Sequence, residues 1–246
     1  RLGFGTRHHP QETRSGMQQA TAMTPRKVAI FDFDGTIVDG QSGALFTTYL
    51  LRHGIMRLPR ALHLGWWGLR YKLHLPYRQS EARELVFGAL ADLDPSTVDE
   101  VMHRFHDEVL LPRYRRQACE EVDRRRKEGC VTLLVSATFK AMADVAARTL
   151  GMDAAVATLM EKDTQGRYTG RVQGDVIAGP QKYAAASAWC DKNLGQGAWE
   201  LAYAYGDHHS DVDLLSRAKE AFAVCPGSTL RPIAKKRGWQ ILDWDE

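Results

Sequence analysis

Cysteine is scarce in this chain, and what there is does not cluster. Cys119, Cys130, Cys190 and Cys225 are the four in 246 residues, with no Cys-x-x-Cys pair among them. That spacing argues against a disulfide scaffold, a zinc ribbon or a dithiol redox motif, and suits a reduced, cytoplasmic protein. Long apolar runs are missing too: no stretch of about 18 uncharged apolar residues occurs, so no transmembrane helix is expected. The first residues do not read as a secretory leader. Neither sign of charge is in large excess. A formal charge of +3 and a pI near 8.7 suit an anionic ligand but fall short of the basic bias of a nucleic-acid binder. The sharpest absence is local, for not one Asp or Glu occurs between Gly40 and Ser80.

What is present is an ordinary globular composition, 44% hydrophobic and 26% charged, long enough for one large domain or a domain with an insertion. Residues 1–25 are polar and aperiodic and are expected to form a disordered tail, with Met17 or Met23 as candidate starts and His8-His9 as a plain surface pair. The first ordered element is an apolar, β-prone run, Val28-Ala29-Ile30-Phe31, that ends in Asp32-Phe33-Asp34-Gly35-Thr36. An apolar run without alternation suggests a strand buried on both faces, as in a parallel sheet. Ionised carboxylates are almost never buried unpaired. Ligands of open α/β sheets sit outside the carboxyl ends of the strands, which is where both acids would fall. Asp34-Gly35 is also a hairpin-turn signal, although no matching alternating strand follows it.

The pattern from Gly40 to about Lys127 is helical: a segment around Leu45 and Tyr49, then Arg60–Leu73, Glu81–Ala91, Ser96–Leu110 and, after Pro112, Tyr114–Glu128. The cluster Arg124-Arg125-Arg126-Lys127 follows Glu120, Glu121 and Asp123 at helix-pair spacing, so it reads as ordinary surface pairing rather than a nucleic-acid patch. Strands are expected at Val131–Val135, Ala154–Met160, Leu201–Tyr205, Ala221–Val224 and Trp239–Leu242, with a hairpin over Glu161–Val172 and helices over Lys140–Leu150, Gly179–Asn193 and Leu230–Arg237. Alternation of strands and helices gives an α/β class with a Rossmann-like parallel sheet. The block between the first two strands is too long for a simple crossover. It is expected to be a helical cap over residues 40–128, on a core of residues 26–39 and 129–246.

Polar groups mark several strand ends and helix starts: Asp32 and Asp34, Ser136, Lys182, then Asp207 and Asp211. Singly each has a bland explanation, since Asp211 can cap a helix and Lys182 can be a surface lysine. His208-His209 beside Asp207 raises a zinc reading, but the spacing suggests no third nitrogen or sulfur ligand.

In the combination of Asp-x-Asp-Gly-Thr at Asp32–Thr36, the strand-end Ser136, Lys182, and Gly-Asp-x-x-x-Asp at Gly206–Asp211, the chain resembles the haloacid dehalogenase (HAD) superfamily. Helices inserted straight after the first motif resemble its phosphoserine-phosphatase-like branch. The resemblance implies a Mg²⁺-dependent phosphomonoester hydrolase working through an aspartyl-phosphate. Asp32 would be the nucleophile and Asp34 the acid and base; Ser136 and Lys182 would bind the phosphoryl group. Asp32, Asp207 and the Asp34 carbonyl would hold the metal, and Asp211 would support them. Thr36 would brace the loop at the substrate, and Gln41 and Ser210 stand where that branch contacts its substrate. Gln41 replaces an acid that would meet an amino group, and Ser210 replaces an asparagine, so phosphoserine fits this chain poorly. A phosphotransferase or mutase, or a non-catalytic phosphate-binding module, are the alternatives.

The acid-free stretch also carries Trp66, Trp67 and several Arg and Lys residues, and Leu62, Trp66, Leu69 and Leu73 share one side of a helix. Such a helix can pack on the core, face an anionic substrate or lie on a lipid surface. The expected partner is a small phosphomonoester and not a nucleic acid; oligomeric state is not legible.

Overall fold

Val28, Ala29, Ile30 and Phe31 are all buried in strand β1 (Arg26–Phe31), as an apolar run without alternation requires. The structure is a computed structural model that describes residues 24–73, 75 and 80–244. The expected tail, apart from residues 24 and 25, and the pair His8-His9 lie outside the described residues. Side chains of β1 go alternately to two cores. Ala29 and Phe31 join Leu134, Tyr205 and Phe222 on one face of the sheet, and Val28 and Ile30 join Leu133, Val135 and Ala204 on the other.

The remaining strands are β2 (Val131–Phe139), β3 (Ala154–Lys162), β4 (Tyr168–Gln173), β5 (Trp199–Gly206), β6 (Glu220–Val224) and β7 (Gln240–Leu242). They form one seven-stranded sheet in the order β4-β3-β2-β1-β5-β6-β7. Every neighbouring pair is parallel except β3–β4. That antiparallel pair is the expected hairpin, turned by Asp163, whose carboxylate accepts from the N–H groups of Gln165 (2.8 Å) and Arg167 (2.9 Å). Strand β2 runs four residues past the expected Val135. Its pairing with β3 is irregular between Ser136 and Phe139, so the polar Ser-Ala-Thr segment ends the strand as a bulge rather than following it.

Between β1 and β2 lie α1 (Ser42–Arg52), α2 (Leu58–Lys72), α3 (Glu81–Phe87), α4 (Pro95–Phe105) and α5 (Arg116–Lys127). Helix α4 starts where Asp94 accepts from the Thr97 N–H at 3.1 Å, with Pro95 in the first turn. It does not continue as an α-helix to Leu110. Residues His106–Leu110 form a π turn in which the Leu111 N–H donates to the His106 carbonyl, and Pro112, which has no N–H for the Glu108 carbonyl, follows it. Helix α3 lies against β4, where Gly170 and Gly88 approach so closely that a Cβ on Gly170 would stand 2.8 Å from the Gly88 Cα. The chain closes with α6 (Lys140–Thr149), α7 (Pro180–Leu194), α8 (Val212–Arg217) and α9 (Leu230–Arg237). Among the described residues no helix is long and apolar enough to cross a membrane.

Two amphipathic elements differ from the simplest sequence reading. On α2 the Leu62, Trp66, Leu69 and Leu73 side does not pack on the core; it is exposed, and Leu64 and Ala61 pack inward instead. On α5 the expected Lys127–Asp123 pair forms at 2.6 Å, whereas Arg124 meets Glu121 at 2.6 Å instead of Glu120, which pairs with Arg116 at 3.1 Å. Arg125, however, is buried. Its guanidinium lies 3.5 Å from the Tyr203 ring centroid, and its Nε donates to the Tyr205 hydroxyl (2.8 Å) and to Glu121 (3.0 Å). The Tyr205 hydroxyl donates to the same Glu121 carboxylate. Tyr205 is stacked between Phe31 and Phe222, so this network ties α5 to the middle of the sheet.

Burial works against the Glu121 charge, but Arg124, Tyr205 and Arg125 outweigh it and hold its carboxyl below the usual range. Because the folded-state value is depressed, the stabilisation is complete above the ordinary glutamate value of about 4.3 and fades as pH falls below it. Glu121→Gln should lower stability near pH 7 by about 1–3 kcal/mol through its lost charge-assisted hydrogen bonds, Arg125 keeping Glu128 as a partner at 2.9 Å. Urea unfolding across pH should show the gap to wild type narrowing on acidification.

Candidate active site

The register of the sheet brings the motif residues to one edge. Phe31 pairs with Leu134 of β2 and with Tyr205 of β5, so Asp32, Ser136 and Asp207 leave their strands at nearly the same level. The Asp32 N–H still donates to the Tyr205 carbonyl at 3.0 Å, which fixes the first acid against the last strand turn. Lys182 enters from the first turn of α7, and Asp211 from the turn that leads into α8.

Lys182 and Asp211 are buried with Asp32 at the centre of this edge. The Lys182 Nζ stands 2.8 Å from Asp32 Oδ1 and 2.6 Å from Asp211 Oδ1. Asp32 Oδ1 also accepts from the Phe33 N–H at 2.7 Å, and Asp211 Oδ2 accepts from the His208 N–H at 3.2 Å. Asp32, Asp207 and Asp211 each offer a carboxylate oxygen, and the three oxygens lie within 4.8 Å of one another. Burial is the largest influence on each acid that shifts. It lifts Asp32 well above its ordinary value, with Lys182 opposing and Asp211 and Asp207 adding to the rise. Burial and Asp211 push Asp207 up to about 7. Burial disfavours the Lys182 charge, yet Asp32 and Asp211 more than restore it and raise the ammonium above its ordinary value.

Close approach explains the glycines of both motifs. Gly35 has φ +74°, and a Cβ there would lie 2.0 Å from Asp207 Oδ2. A Cβ on Gly206 would lie 2.8 Å from Asp211 Oδ2. Gly35 lets a carboxylate of the other motif lie directly on its backbone, and Gly206 does the same for the last acid of its own motif.

Asp34 points the other way, into a cavity of about 530 Å³ under the inserted helices. The Ser42 N–H at the start of α1 donates to Asp34 Oδ1 (2.7 Å) and the Ser42 hydroxyl to Oδ2 (3.0 Å). The Ser42 and Thr138 hydroxyls are 2.9 Å apart. Burial raises the Asp34 carboxyl, and the two Ser42 bonds only partly offset it. Leu64, Trp67, Val86 and Phe139 give the cavity its apolar walls, Arg83 from α3 is its single basic lining residue, and Asp34 its single acidic one among the described residues. The Arg83 Nε donates to the Ala137 carbonyl at 2.9 Å.

The other expected site residues fall unevenly. Gln41 lines the cavity. Ser136 is buried at the end of β2, where its hydroxyl accepts from the Thr138 N–H at 3.1 Å. Thr36 is fully buried, its hydroxyl has no hydrogen-bond partner among the described residues, and it does not line the cavity. Ser210 is not in the cavity lining; its hydroxyl lies 3.0 Å from His208 Nδ1, and the His208 Nε2 is 3.1 Å from His209 Nδ1. The two histidines engage each other and Ser210, while the cluster of possible metal ligands is made of aspartates alone. Ser42, Thr138 and Arg83 were not expected from sequence. Ser42 had one available signal, a hydroxyl at a helix start eight residues after Asp34.

A family model described as haloacid dehalogenase-like hydrolase matches residues 29–216. A phosphoserine phosphatase of Mycobacterium tuberculosis (strain ATCC 25618 / H37Rv) is 27% identical over 220 residues, covering 88% of this chain and 70% of that protein. A histidinol-phosphatase of Neisseria meningitidis serogroup C (strain 8013) is 23% identical over 225 residues, covering 89% and 99%. A crystal structure of a protein of unknown function from Bordetella pertussis Tohama I superposes with a TM-score of 0.82 at 29% identity, covering 90% of this chain and 100% of the other.

The close approach at Gly35 gives a direct test. Gly35→Ala forces a left-handed backbone on alanine and drives its methyl into Asp207, which should lower stability by about 1–3 kcal/mol. Thermal unfolding should show the loss, and Gly166→Ala, at a positive-φ glycine in the remote hairpin turn with open space around it, should leave the site intact.

Proposed function

The chain belongs to the haloacid dehalogenase-like hydrolase family, and on that premise we propose a Mg²⁺-dependent phosphatase that cleaves a small or partly apolar phosphomonoester through an aspartyl-phosphate on Asp32. The observation that carries this reading is the Lys182 ammonium set between Asp32 and Asp211, with Asp207 beside them and Asp34 on the cavity side. In this reading α1–α4 are the cap, and α5, bound to the sheet through Arg125, is the crossover that leads back to the core.

The donor set fits a hard divalent cation. Three carboxylates around one ammonium leave the cluster short of positive charge, and the rise of Asp207 to about 7 reflects burial together with that repulsion. Oxygen-only donors suit Mg²⁺. Asp32, Asp207 and the Asp34 carbonyl would hold it, since both oxygens of Asp211 are already engaged by Lys182 and the His208 N–H. Bound there, the ion would neutralise charge on the phosphoryl oxygens.

The remaining chemistry belongs to the side chains. Lys182 and the Phe33 N–H both hold Asp32 Oδ1, which leaves Oδ2 to attack phosphorus. Without compensation, two unit charges 4 Å apart repel by about 4 kcal/mol at an effective dielectric of 20. Lys182 supplies part of that compensation, and the Ser136 hydroxyl donates to a phosphoryl oxygen. As the ester P–O bond breaks, Asp34 gives its proton to the leaving oxygen; its raised carboxyl suits a group that must be protonated at that moment. Water then attacks the phosphorus on Asp32 while Asp34 takes back a proton, and phosphate leaves with Asp32 restored.

The apolar walls, the one arginine and the neutral Gln41 favour an apolar or anionic leaving group over an ammonium-bearing one. Hydrolysis of alkyl and p-nitrophenyl phosphates with Mg²⁺ tests the reading. Asp32→Asn should abolish both activities, and retained turnover would refute the scheme. Asp34→Asn should slow the alkyl ester about 10²–10⁴-fold, and the p-nitrophenyl ester much less, because p-nitrophenolate departs without a proton.

A further inference from the structure

Helix α2 has two apolar faces, and only one is used inside the molecule. Leu64, Trp67 and Gly68 form a wall of the cavity beside Asp34. Leu58, Leu62, Trp66 and Leu69 follow at spacings of four, four and three, which sets them in a single stripe on a 3.6-residue helix, and Leu73, one residue past its end with its N–H bonded to the Leu69 carbonyl, extends the stripe. Each is between 45 and 68% exposed. A contiguous apolar stripe of this kind on a soluble domain marks an interaction surface.

The charge around the stripe says what it meets. Arg57 precedes the helix and Lys72 ends it; both are exposed, and neither pairs with an acid among the described residues. No acid occurs anywhere from Gly40 to Ser80. Further round the helix His63 and Arg70 lie on the opposite flank, engaged with Glu81 at 3.5 and 2.5 Å. We infer that this stripe is a docking face for an anionic lipid surface, with α2 lying in the plane of the interface.

A second copy of the chain fits the face badly. Two antiparallel α2 helices would set Arg57 of one against Lys72 of the other, like charge against like charge, with no acid on the helix to relieve it. A lipid interface suits each part: leucines enter the acyl boundary, the Trp66 ring takes the headgroup level, and the basic ends meet the anionic headgroups. The helix is 15 residues long, so it lies on a bilayer and does not span one.

Docking in this orientation also sets the cavity at the lipid–water boundary, because the other side of the same helix lines it. A phosphomonoester with a hydrocarbon leaving group would enter from there; this consequence rests on the phosphatase reading, whereas the docking does not.

Co-sedimentation of the full chain with vesicles tests the proposal, using phosphatidylcholine alone and phosphatidylcholine mixed with phosphatidylglycerol. The protein should pellet with the anionic vesicles and on the order of tenfold less with neutral ones or at high salt. The double variant Leu62→Glu/Leu69→Glu should stay in the supernatant while keeping its melting temperature and its turnover of soluble p-nitrophenyl phosphate. Leu62→Gln, a milder change, should weaken pelleting in the same direction. Failure of the wild type to bind anionic vesicles, or binding that the variants leave intact, would overturn the proposal. So would a concentration-dependent dimer that the double variant abolishes, which would assign the face to a second copy. Vesicle binding without hydrolysis of any phosphate ester would instead remove the phosphatase reading and leave the docking face standing.

Discussion

Lys182 is buried with its ammonium 2.8 Å from Asp32 and 2.6 Å from Asp211, and the rest of the molecule is arranged to keep it there. A lysine this deep is sustained only by paired carboxylates, and removing either acid would leave a charge in a poorly solvated place. The ion pair holds Asp32 by one oxygen and engages Asp211 by another. It still leaves the edge of the sheet with more negative than positive charge, since Asp207 stands beside both acids. That imbalance is what a cation and a phosphoryl group would resolve together.

The backbone makes the cluster possible. Parallel pairing of β1 with β2 and β5 brings three strand ends level. Glycines at 35 and 206 remove the methyl groups that would otherwise hold the acids apart. The inserted helices then build a separate compartment around Asp34, through Ser42 of α1 and Arg83 of α3. Two carboxylates two residues apart thus occupy different surroundings: Asp32 faces a lysine, Asp34 a hydroxyl network and an apolar cavity. One fold region can therefore host a nucleophile and a proton donor side by side.

Much of this was legible in the chain because it is local. The buried run before Asp32, the two acid-and-glycine motifs and the alternation of strands and helices depend on neighbours in sequence. Thr138 and Arg83 were not legible, because only folding brings the end of β2 and a helix of the insert to Asp34, and Ser42 offered no more than a hydroxyl at a helix start. Thr36 shows the converse, a residue inside a motif that the fold buries completely and leaves out of the cavity lining. Periodicity identified an apolar side of α2 but could not choose between two such sides. The Leu64 and Trp67 side was taken inward and the Leu62, Trp66, Leu69 and Leu73 side left outward. Arg125 illustrates the same limit: helix-pair spacing to Glu121 is identical for an exposed pair and for one folded under against Tyr205.

The central claim is that this ion pair and its neighbours make Asp32 the one carboxylate that takes the phosphoryl group. Acid quenching of the wild-type protein during turnover of a phosphorus-labelled ester, followed by peptide mass spectrometry, tests it most directly. The account predicts an acyl-phosphate on the peptide containing Asp32 and located on that residue. A phosphate on Asp34, on Asp207 or on no residue, with product forming at the normal rate, would contradict it.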